Sequence, residues 1–361
     1  MSVGQIARSI LISIVPILFV GCGSYKTPAS PPPTTGARFA LVSNRFANSI
    51  STYAIDSQTG RLTAKDTVPT GGTNSGVIAL APSGRFAYVA NSVSNDISVF
   101  SIDANTGALA SVGSPVAAGN TPSFIAFGPA GNSLYVVNQA SDHITGFSIN
   151  SNTGTLTPLT GEVPTDHAPV KLSFHPSGHF AYVNNFNDGD VTVYRVDSTG
   201  ALGLIGATPV ALSLSSIAVH PSGKFAYVTS LASNELIALS IDQVSGGLTK
   251  LTPSVPTGDG PASISIDPQG RFVHVTNAIQ GTVTTYGVDT TTGALTPLFR
   301  IPAGAIPVAL SLDPSGRFAY VANEGSDNVT IFAVDSTTGA LRPTGPPVDA
   351  GTGPAWVTLV Q

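Results

Sequence analysis

Phe86-Ala87-Tyr88-Val89 decides the fold, because the chain repeats this stretch. Strings of this type begin at Phe39, Phe86, Leu134, Phe180, Phe225, Phe272 and Phe318, so they recur every 45–48 residues. A period in the forties, made of short apolar runs and turn residues, is typical of four-stranded propeller blades. The sequence therefore predicts an all-β, seven-bladed β-propeller over residues 37–361.

The second blade shows the sequence pattern that each repeat follows. Val77–Ala81 is a short apolar run that predicts the innermost strand, buried on both faces. Pro82-Ser83-Gly84 predicts a tight turn, since Pro presets φ and Gly accepts a positive φ. Phe86–Val89 then forms the second strand, and Ile97–Ile102 alternates as a third strand should. An Asp-x-x-x-Gly hairpin leads into the outer strand.

The two ends of the domain predict how the ring closes. The domain begins at Arg38 directly with a second strand, so its first blade lacks an innermost strand. Pro354–Val360, where the chain stops, has the pattern of the missing strand. We therefore expect a composite first blade, with three strands from the N-terminus and one from the C-terminus, which removes two exposed sheet edges.

The N-terminal residues predict export and lipid attachment. Arg8 precedes an apolar run, Ile10–Val20, that is too short to span a bilayer. Gly21-Cys22 then resembles a bacterial lipobox, which predicts a signal peptide over 1–21, a lipid on Cys22 and a Pro-rich tether over 22–36. We therefore expect a lipoprotein anchored in the bacterial cell envelope, facing the periplasm or the exterior. The alternative is an ordinary secretory signal with an incidental cysteine.

Composition narrows the partners of the folded domain. Charged residues make up 10% of the 361 residues, the net charge is −5, and no basic run occurs, which argues against a nucleic-acid partner. Gly and Pro number 38 and 28, which suits many short strands and turns. We expect a monomer without cofactor or bound metal, since no histidines share the spacing of a metal site.

Three repeated motifs carry a family resemblance: Tyr-Val-x-Asn second strands, inner strands that end in Asp/His-Pro-Ser-Gly, and Asp-x-x-Thr-Gly-x-Leu hairpins. Over residues 38–361 the chain resembles the seven-bladed lactonase-like propellers, of the 6-phosphogluconolactonase, carboxymuconate cyclase and YVTN-repeat types. The resemblance implies an active site on the face formed by the loops that precede the innermost strands. It also implies histidine, arginine and glutamate as the residues that open or close a lactone ring.

This chain departs from the family at the start of its inner strands. A Gly-Pro-Arg-His sequence is typical there, whereas the matching places read Gly260-Pro261-Ala262-Ser263 and Gly353-Pro354-Ala355-Trp356. The best remaining cluster of polar residues is Asp166, His167 and Lys171, which surround one inner-strand start. We predict these three as catalytic candidates, with a solvated loop as the alternative.

Polar residues at the same face form a second candidate site. Asparagines end the second strands of six blades, and further amide and acidic residues lie in the loops before the inner strands. As a ring near a tunnel these residues would bind a polar ligand, or Ca²⁺ through their carbonyl oxygens; the alternative is that they bond the backbone of their own loops. The predicted ligand-binding residues are Asn44, Asn74, Asn91, Asn120, Asn138, Asn185, Asp259, Asn277 and Asn323.

Two functions follow from these observations. The first is an envelope-tethered propeller that serves as a binding or interaction platform for a polar small molecule, an envelope protein or a carbohydrate. The second is a divergent lactonase that hydrolyses a sugar lactone with His167, Lys171 and Asp166. The missing Arg-His pair favours the first function, and the resemblance favours the second.

Overall fold

The computed structural model describes residues 36–361, and their regular structure consists of strands. The predicted signal peptide, Cys22 and almost all of the predicted tether lie outside the described residues. Within residues 36–361 no helix has the length and apolar character needed to cross a membrane.

Numbered in chain order, the strands β1–β32 fill four positions in each blade. The innermost strands are β4 (Ser75–Leu80), β9 (Pro122–Phe127), β14 (Pro169–Phe174), β18 (Leu214–Val219), β23 (Pro261–Ile266), β27 (Pro307–Leu312) and β32 (Pro354–Val360). The second strands are β1 (Phe39–Asn44), β5 (Phe86–Asn91), β10 (Ser133–Asn138), β15 (Phe180–Asn185), β19 (Phe225–Ser230), β24 (Phe272–Asn277) and β28 (Phe318–Asn323).

The two outer positions complete each antiparallel sheet. The third strands are β2 (Ser49–Ile55), β6 (Asp96–Ile102), β11 (His143–Ile149), β16 (Asp190–Val196), β20 (Glu235–Ile241), β25 (Thr282–Val288) and β29 (Asn328–Val334). The outer strand is continuous in three blades, as β3 (Leu62–Pro69), β17 (Leu202–Pro209) and β26 (Leu295–Pro302). It is split in the others, as β7 (Leu109–Ser111) and β8 (Val116–Ala117), β12 (Leu156–Pro158) and β13 (Val163–Pro164), β21 (Leu248–Lys250) and β22 (Val255–Pro256), and β30 (Leu341–Pro343) and β31 (Val348–Asp349).

The C-terminal strand closes the ring as predicted. The first sheet has the order β3-β2-β1-β32, and β1 pairs antiparallel with β32 from Phe39↔Val360 to Asn44↔Pro354. Each backbone hydrogen bond of such a ladder contributes about 1 kcal/mol net. The seven-bladed, all-β architecture is therefore confirmed, and its first blade joins the two ends of the domain.

The structure corrects the repeat in the third blade by one residue. The sequence pattern places the start of that second strand at Leu134, but β10 begins at Ser133. Tyr135 therefore occupies the position that Tyr88 holds in the second blade. The pattern misleads here because Leu134 is apolar like the phenylalanine of the other blades, whereas the true first residue is a serine.

The hydrophobic core is divided among the seven contacts between neighbouring blades. Each of the seven buried clusters joins residues of two adjacent blades, as when Tyr182 and Val193 of the fourth blade pack with Ile217 and Leu239 of the fifth. Each buried side chain of this size contributes about 1.5–3 kcal/mol. The radial packing of blades therefore stabilises the ring, since no blade has a core of its own.

A tyrosine of the second strand reinforces most of these contacts. Its hydroxyl donates to the carbonyl of the glycine in the next blade's outer hairpin. Five pairs occur: Tyr88–Gly154, Tyr135–Gly200, Tyr182–Gly246, Tyr227–Gly293 and Tyr320–Gly60. The equivalent positions in the first and sixth blades are Leu41 and His274, which make no such bond.

Candidate functional site

The start of every inner strand is irregular, and this irregularity shapes the tunnel wall. The pairing register between the inner and second strands shifts after the first residue of the inner strand, for example between Pro169 and Lys171. The second and third residues therefore both approach the tunnel in most blades. The third residues include six residue types, and they are Val77, Phe124, Lys171, Ser216, Ser263, Ala309 and Trp356.

All of these residues except Ala309 line a cavity of about 440 Å³ at the mouth of the tunnel. Its wall combines two cations, Arg45 and Lys171, with amides and hydroxyls and an aromatic pair. The first and fourth blades, which carry the cations, are three blades apart in a ring of seven, so Arg45 and Lys171 belong to nearly opposite sides of the ring. The other polar groups are Asn74, Ser92, Thr121, Ser123, Gln139, Ser215, Ser216 and Ser263.

A second cavity of about 330 Å³ lies deeper in the tunnel, along later residues of the inner strands such as Ile266 and Leu312. Phe124, Lys171, Ser263 and Trp356 line both cavities. The rings of Phe124 and Trp356 meet edge to face with centroids 5.8 Å apart, and Lys171 Nζ lies 5.4 Å from the centroid of Phe124. The aromatic pair and the lysine therefore form the floor of the mouth cavity.

Lys171 is the most perturbed base that lines the mouth cavity. Its amine donates one hydrogen bond to Ser216 Oγ at 3.3 Å and lies against Phe124. Lys171 is surrounded by protein at the centre of the ring, although part of its surface stays open to the tunnel. Burial lowers the pKa of Lys171 to about 8, because the low-polarity surroundings disfavour the ammonium ion. A substantial fraction of the amine is therefore neutral near pH 8.

An arginine–glutamate pair stands at the mouth where the ring closes. Arg45 follows the last residue of β1 and pairs with Glu324, which follows the last residue of β28. Their side chains are 33% and 15% exposed, so the pair is partly desolvated. Our sequence reasoning missed Glu324, because residues 45 and 324 become neighbours only when the seventh blade meets the first. The available signal was that both directly follow the asparagine that ends a second strand.

The structure separates the three predicted catalytic residues. Lys171 lines the mouth cavity, whereas Asp166 and His167 do not contribute to its wall. The exposed His167 ring bonds Asp188 Oδ2 at 2.8 Å, and this carboxylate raises the pKa of His167. Asp166 accepts a hydrogen bond from Thr192 Oγ1 at 3.2 Å. None of the described residues that line either cavity is a histidine.

The six predicted strand-ending asparagines are buried and bond residues of their own blades, except that Asn185 Oδ1 has no partner among residues 36–361. All six are completely inaccessible to solvent. Each amide donates to the following strand, as when Asn138 Nδ2 bonds Thr145 Oγ1 at 2.9 Å. Asn138 Oδ1 accepts the backbone N–H of Gly119 at 3.1 Å, and thereby fixes the loop before the inner strand. In the five asparagines whose oxygen accepts a hydrogen bond, this geometry fits the local alternative, in which the side chain holds its own loop in place.

The remaining predicted ligand residues are not brought together. Asn74 lines the mouth cavity with a positive φ of 62°. Asn120 and Asp259 are exposed in loops of two other blades, where Asp259 accepts a hydrogen bond from Asn234. The mouth cavity therefore recruits residues that differ between blades, and among the predicted residues it includes only Asn74 and Lys171.

Comparison with known proteins identifies the family. The family described as "Lactonase, 7-bladed beta-propeller" matches overlapping stretches that together run from residue 34 to residue 359. The chain therefore belongs to the lactonase family of seven-bladed β-propellers. No curated protein sequence matches the chain.

Solved structures share this fold at low sequence identity. A proposed 6-phosphogluconolactonase of Bacteroides uniformis is 19% identical with a TM-score of 0.80, and the match covers 91% of this chain and 100% of that one. A protein of Lactobacillus plantarum is 22% identical with a TM-score of 0.80, over 90% and 100% of the two chains. The periplasmic gluconolactonase of Pseudomonas aeruginosa is 20% identical with a TM-score of 0.77, over 90% and 99%. At these identities the likeness establishes the fold.

Proposed function

We propose that this propeller hydrolyses a sugar-type lactone in the mouth cavity. The observation that carries the proposal is the convergence of a neutralisable amine, Lys171, and a guanidinium, Arg45, on one cavity lined with hydroxyls and amides. Hydroxyl and amide groups suit the hydroxyls of a sugar lactone, and a cavity of about 440 Å³ is within the range that holds small ligands. Family membership and the lactonases among the solved structures support the same class of substrate.

The reaction assigned to this cavity begins with the neutral amine of Lys171. The amine accepts a proton from a water molecule, and the resulting hydroxide adds to the lactone carbonyl carbon. The carbonyl oxygen becomes an alkoxide, which Arg45 stabilises as a hydrogen-bond donor. When the intermediate collapses, the bond from carbon to the ring oxygen breaks. The leaving oxygen then accepts the proton from Lys171, which regenerates the neutral amine and yields a hydroxy acid.

Glu324 and the aromatic floor have supporting roles in this scheme. The carboxylate of Glu324 holds the guanidinium of Arg45 at the mouth and limits its rotation. Phe124 and Trp356 offer an apolar surface to the carbon-bound hydrogens of a sugar ring. These are positioning roles, since neither requires bond making to the substrate.

A binding platform without catalysis is the second candidate. It is favoured by one observation: no histidine lines the cavities of the described domain, so proton transfer depends on Lys171 alone. Attachment to the cell envelope through a lipid on Cys22 fits either function and stays a prediction, as do the expected monomer and the envelope partners.

Lactone hydrolysis by the purified protein tests the proposal. 6-Phosphogluconolactone and glucono-δ-lactone are offered separately, with spontaneous hydrolysis measured in the same buffer. We expect turnover above background that increases as the pH passes through about 8, where Lys171 loses its proton. Lys171→Met should lower kcat by about 10²–10⁴-fold, the usual contribution of a positioned general base.

The matched control is Lys224→Met, because Lys224 is exposed on a turn outside both cavities. It should retain wild-type kcat and KM. Lactone binding without turnover would overturn hydrolysis and favour the binding platform. Turnover that survives in Lys171→Met would remove the lysine from the mechanism.

A further inference from the structure

One loop of the fourth blade departs from a rule that the other blades follow. In five blades the third residue before the inner strand is a glycine, and in the fifth blade it is Ala211. In the fourth blade the same position holds Asp166. The glycines are Gly72, Gly119, Gly258, Gly304 and Gly351.

Close contact with the buried asparagine explains the glycines. In four blades the glycine N–H donates to the asparagine Oδ1 at 3.0–3.1 Å. A Cβ on Gly119 or Gly304 would lie 2.6 Å from the asparagine Cγ, which is closer than real atoms approach. An aspartate at this position therefore cannot approach the asparagine as closely as the glycine does, because its Cβ would clash with the amide.

As a result, one buried hydrogen-bond acceptor in the fourth blade, the amide oxygen of Asn185, has no donor in the part of the chain that the structure describes. Asn185 is completely buried, and its Oδ1 has no hydrogen-bond partner within residues 36–361. In four other blades this oxygen accepts the N–H of the residue that corresponds to Asp166. The Nδ2 of Asn185 donates to Asp190 Oδ1 and to Thr192 Oγ1, both at 2.7 Å. The side chain of Asn185 therefore adjoins the carboxylate of Asp190, and its oxygen is a buried acceptor without a donor among the described residues.

An acidic cluster that includes Asp190 has the size of a cation site. Ligand oxygens of Asp166, Asp188 and Asp190 all lie within 4.8 Å of one another. Ca²⁺ binds oxygens at about 2.3–2.6 Å, so two ligands on opposite sides of the ion are about 5 Å apart. Asp188 is already oriented, because the backbone N–H of His167 donates to its Oδ2 at 2.7 Å.

We propose that the fourth blade binds a Ca²⁺ ion through the carboxylates of Asp166, Asp188 and Asp190 and the amide oxygen of Asn185. Oxygen donors alone select a hard cation, and three carboxylates offset the charge of a divalent ion. The ion replaces the glycine N–H as the partner of the buried amide oxygen. The sequence predicted no histidine-based metal site and offered Ca²⁺ only as a ligand of the asparagine ring, which includes Asn185. It did not indicate the three carboxylates, because Asp166 precedes β14 whereas Asp188 and Asp190 lie between β15 and the start of β16.

Calcium titration of the full chain tests the site. The purified protein is first dialysed against EGTA. Calcium chloride is then added in a calorimeter and, separately, in thermal melts, with magnesium chloride as the comparison. We expect saturable heat with Ca²⁺ and a Tm that rises with its concentration, since a ligand that binds only the native state stabilises it. Mg²⁺ should bind more weakly, because it demands a tighter octahedral shell.

Three variants decide whether the cluster is responsible. Asp166→Gly installs the residue of five other blades and restores the N–H for Asn185, so it should fold and bind Ca²⁺ at least about tenfold more weakly. Asp188→Asn, at an exposed ligand, should show the same loss. Asp259→Asn, an acidic loop residue of the sixth blade, should respond as the wild type. No heat and no Tm shift in the wild type would overturn the proposal, as would full binding by Asp166→Gly.

Discussion

The second strands and the inner strands of the ring differ in how closely their sequences repeat from blade to blade. The second strands are nearly the same in every blade: apolar, fully buried and ended by an asparagine or serine. The inner strands have the same backbone, yet their third residues range from alanine to lysine and tryptophan. Residues that repeat hold the ring together, whereas residues that break the repeat define the mouth cavity.

Removal of residues 354–361 should destabilise the framework most, the framework being the residues that repeat in every blade and hold the ring together. The deletion exposes the edge of β1 and removes β32 from the core between the seventh and first blades, including Val357. We expect loss of cooperative unfolding and aggregation, measured by thermal melts and light scattering. An undiminished melting transition in the truncated chain would contradict the closure.

His274 replaces the repeated tyrosine at the contact between the sixth and seventh blades, and it should make the stability of the domain sensitive to acid. His274 is fully buried, its Nδ1 lies 2.9 Å from Thr285 Oγ1, and its Nε2 has no partner among the described residues. Burial lowers the pKa of His274 to about 4. Between pH 6.5 and 4 only the unfolded chain takes up this proton, so stability falls with pH by up to about 3 kcal/mol.

The variant that tests this effect is His274→Tyr, since five other blades hold tyrosine there. The new hydroxyl should donate to the carbonyl of Gly339, as Tyr227 does to Gly293. We expect a gain of about 1 kcal/mol at pH 7 and a smaller loss of stability toward pH 4, measured by urea unfolding at both pH values. Equal acid sensitivity in the two proteins would show that His274 is not the responsible group.

Asn138→Ala removes one buried amide from the framework. Its amide bonds Thr145 and Gly119, so both groups would lose a buried partner. We expect a loss of about 1–3 kcal/mol in unfolding free energy and little change in KM for a lactone. A large rise in KM with unchanged unfolding free energy would indicate that Asn138 contacts the ligand and would contradict its structural role.

Tyr227→Phe is the mildest test of the framework. It deletes the hydroxyl that bonds Gly293 and leaves the ring in its buried cluster. A loss of about 1 kcal/mol is expected from denaturant unfolding, because the buried carbonyl loses its donor. Phe100→Leu is the control, because Phe100 is buried and has no hydroxyl. Any loss of unfolding free energy in that variant should come from packing alone.

The sequence predicted the framework well because each repeated motif depends on local chemistry. The Asp-to-Gly hairpins and the Pro-x-Gly turns follow from short patterns that recur in six or seven blades, and the closing strand at 354–360 follows from its match to the inner strands. The shift at Leu134 came from matching an apolar residue instead of the whole strand, and the inner strand of the second blade begins at Ser75, two residues before the predicted Val77. Periodicity thus fixes the position of nearly every strand.

The site was harder to predict because its residues meet only in three dimensions. Arg45 and Glu324 lie at opposite ends of the domain and pair through ring closure. Lys171 and His167 are four residues apart in sequence, but the start of β14 sends one into the tunnel and leaves the other on the rim. Neither result follows from spacing, since each depends on how the inner strand begins.

Lys171→Met and Asn138→Ala, measured side by side for kcat/KM and for unfolding free energy, test the central claim most directly. Lys171 carries a lowered pKa, so the folded state resists its charge and stability rises as the pH increases from about 8 to 10.5. Its replacement by methionine should lower the rate of lactone hydrolysis by about 10²–10⁴-fold and, at pH 7, leave stability unchanged or raised by up to about 3 kcal/mol. Asn138→Ala should lose stability and keep its activity. If both variants lose stability and activity together, the separation between framework and site is wrong.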